Sequence, residues 1–325
     1  MPEPFRIAVV SDIHYASAAE QARGDDHEFR DIHPAVVRAV FRLYRHTVWM
    51  RHPLRHNAQL DRFLAAVGEP DLVVANGDYT CGTGYVGVSD EAAMQSAREV
   101  VTRLRTRFGN RVRLNLGDHE LGKLNVSGHK GGLRLRSWRR CVEELGLQPF
   151  WRETRGDYEL MGVASTLLAL PVFAADMLAE ERPEWERLRD AHRAEIRAAF
   201  ETVSPRARVL LFCHDPTALA FLWEEDAVRA RLGQIEATLI GHLHSPLYLW
   251  PSRVLAGMPV IRFLGHTVQR MSTALNQARR WRPFRVRLCP SLAGIELLKD
   301  GGFLTIELDL TRERPARFEF HPLPR

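Results

Sequence analysis

Short apolar runs rich in Val, Leu and Ile recur along the chain, each four to six residues long and each closed by glycine or a polar residue. Runs of that length with turn residues behind them read as buried strands. They predict strands at Phe5 to Val10, Asp71 to Ala75, Arg111 to Leu116, Tyr158 to Val163, Arg208 to Phe212, Ala237 to Ile240, Val260 to Leu264 and Phe303 to Leu308. Between several of them the period lengthens to that of a helix, over Asp90 to Phe108, Leu133 to Leu145 and Glu184 to Thr202. The alternation predicts an α/β sandwich. Pro283, Pro290 and the Gly301-Gly302 pair interrupt the late part of the chain, so the C-terminal strands are expected as hairpins closing one sheet. The uncharged run Leu160 to Ala175 contains Pro171 and is shorter than a bilayer span, and reads as buried strand and loop.

Composition adds little to this picture. With 325 residues, 45% hydrophobic and 26% charged, the chain suits a packed globular protein rather than a fibrous or disordered one. Its four cysteines, Cys81, Cys141, Cys213 and Cys289, are far apart and form no CxxC pair, which argues against a zinc ribbon or a disulfide framework. A reducing cytoplasm is the expected compartment, and no secretory signal pattern opens the chain.

The placement of charge says more. Pro34 to His56 holds Arg38, Arg42, Arg45, Arg51 and Arg55 without one acid, and Thr267 to Leu288 holds Arg270, Arg279, Arg280, Arg282, Arg285 and Arg287, again without one. The formal net charge is +5, so outside these eleven arginines the balance is 5 − 11 = −6. In the first stretch Val36, Val37, Val40, Phe41, Tyr44 and Val48 recur at helical spacing, which predicts a basic amphipathic helix, with Trp49 and Met50 extending its apolar side. Trp281 and Phe284 lie among the arginines of the second, a mixture suited to a membrane interface, a lipid phosphate or a nucleic acid. A third cluster, Arg134, Arg136, Arg139 and Arg140 around Trp138, points the same way. Solvated or ion-paired surface helices are the competing explanation.

The chemistry lies at the ends of the strands. Ile7 to Val10 leads to Ser11-Asp12-Ile13-His14, Leu72 to Ala75 to Asn76-Gly77-Asp78, and Leu114 to Leu116 to Gly117-Asp118-His119-Glu120. Leu210 to Cys213 leads to His214-Asp215, and Leu239-Ile240 to Gly241-His242-Leu243-His244. Strand ends on one edge of an α/β sheet converge on a crevice, so these residues are expected to meet. A D-x-H or H-x-H step on extended backbone puts both side chains on one side, within reach of one ion. Asp12, His14, Asp78, Asp118, His214, His242 and His244 suffice for two ions, and mixed carboxylate and imidazole donors suit manganese, iron or zinc. Two such ions about 3.5 to 4 Å apart bind phosphoryl oxygens and yield hydroxide near neutral pH. Taken singly, Asp12 and Asp78 are equally well explained as helix caps and His214 as a hydrogen-bonded core residue.

In order and spelling these five blocks resemble the calcineurin-like metallophosphoesterase superfamily, whose pattern is DxH, GD, GN-H-[ED], H and GHxH. The resemblance covers about residues 5 to 265 and implies a β-sandwich flanked by helices (αββα). It further implies that Asp12, His14 and His244 hold a first metal, that Asp78 bridges, and that Asp118, His214 and His242 hold a second. His119 matches the histidine that contacts substrate phosphate and assists the leaving oxygen, and Glu120 is read as an orienting residue. Asp118 departs from the usual Asn, adding negative charge where an anionic substrate must bind. His129 and His266 lie beside glycines near the expected crevice and are candidates for touching substrate, and Gly82, Gly84 and Gly87 for holding a phosphate. His33, with the other histidines outside the motifs, is expected at the surface.

The expected organisation is one domain over 1–325, with a basic helical insertion at about 23–60 and a basic segment at about 267–288. The expected function is hydrolysis of a phosphoester or pyrophosphate bond by hydroxide activated between two divalent ions. The 65 residues between Asp12 and Asp78 would place an arginine-bearing, apolar lid at the crevice rim, suited to a phosphorylated small molecule or a lipid-linked or nucleotide-linked substrate. Contact with an anionic membrane surface is an extension of that reading, which would make the protein peripheral there. A nuclease or nucleotide phosphodiesterase of the same superfamily, gripping nucleic acid through its arginines, is one alternative. A non-catalytic metal-binding module is the other.

Overall fold

A computed structural model describes the chain apart from residues 1–2, 30–31, 33, 82–84, 125–129, 264 and 325. His33, Gly82, Gly84 and His129 therefore lie outside the described residues, as does the side chain of His266.

Among the described residues, ten strands form two five-stranded sheets. The first takes β1 (Phe5–Val10), β2 (Leu72–Ala75), β3 (Val112–Leu114), β9 (Gly302–Leu308) and β10 (Arg317–Pro322) in the order β10-β9-β1-β2-β3. The second takes β4 (Phe150–Arg155), β5 (Tyr158–Val163), β6 (Arg208–Cys213), β7 (Ile235–Ile240) and β8 (Val286–Leu288) in sequence order. β1, β2 and β3 run parallel, with Ile7 opposite Leu72 and Val73 opposite Val112. β5 to β8 are likewise parallel to their neighbours, whereas β4 and the β9-β10 pair run antiparallel.

Alternation along each strand divides the core. Ile7, Val9, Leu72, Val74, Leu160, Leu210, Phe212 and Leu239 fill the layer between the sheets. Ala8, Val10, Val73, Ala75, Val163, Val209 and Leu211 point outward onto helices, among them Glu91–Phe108 and Arg182–Glu201. The result is the four-layer αββα arrangement. A short polar ladder ties the layers together within this core: Trp151 Nε1 donates to Asn115 Oδ1, Asn115 Nδ2 to Asn76 Oδ1 (2.8 Å), and Asn76 Nδ2 to Leu239 O (3.3 Å). Helix Glu91–Phe108 starts where Asp90 accepts the N–H groups of Ala92 and Ala93, and stops at Gly109, at φ +58°. Among the described residues no helix is long and apolar enough to cross a membrane.

Several expectations need correction. Residues 260–263 form no strand; they lead into helix His266–Gln277, with Ile261 N–H donating to Ser272 Oγ (2.9 Å). Phe150–Arg155, Val286–Leu288 and Arg317–Pro322 are strands that the apolar pattern did not show, because edge positions alternate with charge, as in the Arg152–Glu159 ion pair (2.9 Å). The late strands do not all close one sheet: β8 joins the second and the β9-β10 hairpin the first. Trp281 and Phe284 are core residues, 6% and 0% exposed, so they are no interfacial pair. Arg140 is likewise buried and paired with Glu91 and Glu144, which removes it from any anion-binding surface.

His192, expected at the surface, is instead buried under β5; it accepts the Ala164 N–H at Nε2 (3.2 Å), and burial pushes its pKa down to about 4. The unfolded chain binds this proton from about pH 6.5, so stability held at pH 7 is lost as pH falls toward 4. His192→Gln should shrink the loss of unfolding free energy between pH 7 and pH 5 by about 2 kcal/mol, measured by urea titration. An unchanged pH dependence would refute the assignment.

Candidate metal centre

The C-terminal ends of β1, β2, β3, β6 and β7 meet at one crevice, and the chain leaves them through strained backbone. Asp12, His14, Asp78, His242 and His244 all have φ between +48° and +58°. L-residues avoid this left-handed region, and such strain concentrates at functional sites. The strand alternation expected to align Asp12 with His14 therefore does not operate; these residues are turned inward by the left-handed turns instead. The two glycines before the third and fifth motifs permit the approach. A Cβ on Gly117 would lie 2.1 Å from Asp78 Oδ1, and one on Gly241 2.5 Å from Asp12 Oδ2.

Two groups result. Asp12, His14, Asp78 and His244 present donor atoms within 4.8 Å of one another, as do Asp78, Asp118, His214 and His242. Asp78 belongs to both. His242 and His244, by contrast, go to different groups, so the H-x-H step spans the site rather than serving one ion.

Hydrogen bonds aim the imidazoles. His14 Nδ1 lies 3.0 Å from Thr80 O and His214 Nδ1 2.7 Å from Asn76 O, so each ring donates there and leaves Nε2 facing the crevice. His14 Nε2 and His244 Nε2 are 3.1 Å apart. His214 Nε2 is 3.2 Å from Asp78 Oδ2 and 3.4 Å from Asp118 Oδ1, and His242 Nδ1 is 3.3 Å from Asp118 Oδ1. Asp78 Oδ2 and His214 Nε2 are buried without a hydrogen bond. Burial opposes a charged His214, yet the carboxylates of Asp78, Asp118 and Asp12 hold its pKa well above the usual value. Three buried carboxylates facing converging imidazole nitrogens call for positive charge between them. The donor set suits two divalent metal ions.

Glu120 is fully buried and orients the loops. Its Oε2 accepts the N–H groups of Asp78 (3.0 Å) and Gly117 (2.9 Å), and its Oε1 accepts that of Tyr79 (2.7 Å). Burial and the Asp78 charge push its pKa up to about 7, against the pull of those N–H groups. Glu120→Gln turns a donor onto backbone donors and should cost about 1–3 kcal/mol, read as a lower denaturant midpoint. An unchanged midpoint would remove Glu120 from this role.

His119 sits at the rim with Nε2 3.7 Å from Asp78 Oδ2 and its ring against His14, and burial pushes its pKa down to about 3. Three neighbours escaped the sequence reading as site residues. Lys123 Nζ is 3.2 Å from Asp118 Oδ2; Asp215 Oδ2 is 4.0 Å from His242 Nε2; and the Trp49 ring lies 4.3 Å from that of His244. Lys123 carried one signal, a lone lysine five residues after the unusual Asp118.

Beyond this rim opens a cavity of about 400 Å³. His14, His119 and His244 line its floor, Phe29, Ile32, Phe41, Trp49, Met50 and Leu124 its walls, and Lys123 and Arg270 add cations. Arg45 is neutralised there by Glu28 (3.0 Å).

A family model described as calcineurin-like phosphoesterase matches residues 5–246. The chain belongs to that family. As a calcineurin-like phosphoesterase it is a hydrolase of phosphoester bonds, and its paired Asp and His groups fit the two-metal chemistry of such enzymes. A search of curated proteins found no match. Among solved structures the phosphoesterase resembles a purple acid phosphatase from yellow lupin (Lupinus luteus) seeds, with 10% identity, a TM-score of 0.39 and alignment over 75% of this chain. The aligned part spans only 38% of the lupin enzyme. Phosphopantetheinyl hydrolase from Mycobacterium tuberculosis aligns over 75% of this chain and 84% of its own, at 16% identity and TM-score 0.36. A metallophosphoesterase from Sphaerobacter thermophilus aligns over 98% and 88%, at 12% identity and TM-score 0.34.

Proposed function

We propose that this phosphoesterase hydrolyses the phosphoester or pyrophosphate bond of an anionic amphiphile. The observation that carries the reading is an apolar cavity of about 400 Å³ whose floor is the metal centre. A cavity of this size and lining suits an organic ligand, with a few placed polar groups setting its orientation. Manganese, iron or zinc would be held by Asp12, His14, Asp78 and His244 on one side and by Asp78, Asp118, His214 and His242 on the other. When bound, two such ions polarise the phosphoryl group and lower the pKa of water. The chain does the rest. Asp78 ties the two groups together, Lys123 draws the phosphate to the floor, and His119 offers a hydrogen bond to the leaving oxygen. Phe41 and Trp49 hold the apolar part and exclude water.

Charge pairing weighs against the nuclease alternative. Arg42, Arg45, Arg270 and Arg280 are matched by Asp26, Glu28, Asp176 and Glu224, so they do not form a free track for a phosphate backbone. Lys123 beside Asp118 removes the main reason for suspecting a non-catalytic module.

The test uses alkyl p-nitrophenyl phosphates of increasing chain length, in solution below their micellar concentrations, after chelation and readdition of manganese. With each CH₂ buried worth about 0.8 kcal/mol, kcat/KM should rise by up to about fourfold per CH₂ until the cavity is full. Turnover independent of chain length, with salt-sensitive cleavage of DNA, would transfer the assignment to a nuclease.

A further inference from the structure

Helix Ala35–Tyr44 turns one edge to the cavity, through Phe41 and Tyr44. Its other apolar side chains are uncovered: Val36 is 77% exposed, Val40 61% and Leu43 64%. Tyr44 Oη lies 2.6 Å from Tyr248 Oη and so joins this helix to helix Pro246–Val254, where Trp250 and Val254 are 69% and 62% exposed. Their i, i+4 spacing puts both on one side of that helix. Leu297, also exposed, donates its N–H to Val48 O (3.2 Å) and adds a third edge. Single exposed apolar residues are ordinary, but Val36, Val40 and Leu43 uncovered along one side of a basic helix beside a cavity mark an interaction site.

The segment that carries most of this patch is basic, although Glu296 borders Leu297. Pro34 to His56 contains no acid, and Arg38, Arg51 and Arg55 have no acidic partner among the described residues. The arginines of this segment that do pair, Arg42 and Arg45, reach back to Asp26 and Glu28.

We infer that this patch docks on an anionic bilayer, so that the cavity receives its amphiphile from the membrane. The apolar side chains enter the interface while the three arginines meet headgroup phosphates. The inference rests on the amphiphile reading of the cavity. A second copy of the chain seated on the same patch would bring unpaired arginines together, so charge complementarity favours the bilayer.

The test is sedimentation of the full chain with vesicles of phosphatidylcholine alone and with phosphatidylglycerol added. Wild type should pellet with the anionic vesicles only, and less so at high salt. Leu43→Asp/Trp250→Asp and, separately, Arg51→Glu/Arg55→Glu should each lower vesicle affinity by roughly tenfold or more, with hydrolysis of soluble bis-p-nitrophenyl phosphate unchanged. Failure of wild type to bind, or variants that bind as well as wild type, overturns the docking. So does a wild-type dimer that the Leu43→Asp/Trp250→Asp variant splits. Vesicle binding lost by the variants, together with turnover independent of alkyl length, would uphold the docking and remove the amphiphile substrate.

Discussion

Asp78→Asn should lower kcat by on the order of 10³-fold or more and reduce bound metal from two ions per chain, while the protein stays folded. Asp78 is the residue common to both donor groups and is 1% exposed. Its Oδ1 accepts the His119 N–H (3.0 Å) and its Oδ2 faces His214 Nε2 at 3.2 Å. Asn keeps the shape and tolerates the left-handed backbone, at φ +58°, so the change is one of chemistry. The amide sets a neutral donor or a weaker acceptor where a charged acceptor is shared by both donor groups. Metal content by mass spectrometry and turnover of bis-p-nitrophenyl phosphate check it. A variant that keeps two ions and a tenth of wild-type kcat would show that Asp78 does not bridge.

Lys123→Met should lower kcat/KM by roughly 10- to 100-fold, and adding Asp118→Asn should recover most of the loss in kcat. Asp118 is 3% exposed and its Oδ2 has Lys123 Nζ at 3.2 Å. Burial would raise its pKa, but Lys123 first, then His242 and His214, hold it well below the usual carboxylate range. Removing the cation leaves the buried charge beside Asp78 with only the imidazoles of His214 and His242 to offset it. The neutral amide needs no such cation, so the double variant relieves the cost. If Lys123 also grips substrate phosphate, KM stays high in the double variant while kcat returns. Costs that simply add would show that the two residues are independent.

The pair explains how Asp can stand at this position. The extra negative charge, read from the sequence as a burden on anionic substrates, is offset within the same loop. Its spacing was the partner's one signal in the sequence, and a lysine five residues on is an ordinary neighbour until its side chain is seen folding back. Trp49 is similar. It continued the apolar side of a helix in sequence, but the helix ends at Tyr44 and a π-helical turn, Arg45–Trp49, swings the indole over His244. The arginine stretches were legible as charge and not as function. Which guanidinium meets an acid depends on stretches of chain far apart in sequence, as with Arg270 and Asp176 (2.6 Å) or Arg280 and Glu224 (2.7 Å).

By itself the sequence determined the inner strands and the residue types at their ends. Most apolar runs of four to six residues became buried strands, residues 260–263 excepted, and Asp or His just beyond those strands sits at the sheet edge. Spacing along the chain did not decide which of those side chains group together: the family resemblance implied a grouping, and the tertiary structure forms two groups of donors. His14 and His244 are 230 residues apart and meet at 3.1 Å, whereas His242 and His244 are two apart and part company. The tertiary structure also decided which apolar residues are core and which are left open: Phe284 is buried and Leu43 exposed, though both sit among arginines. Hydrophobicity is a property of a residue, but burial is a property of what packs against it.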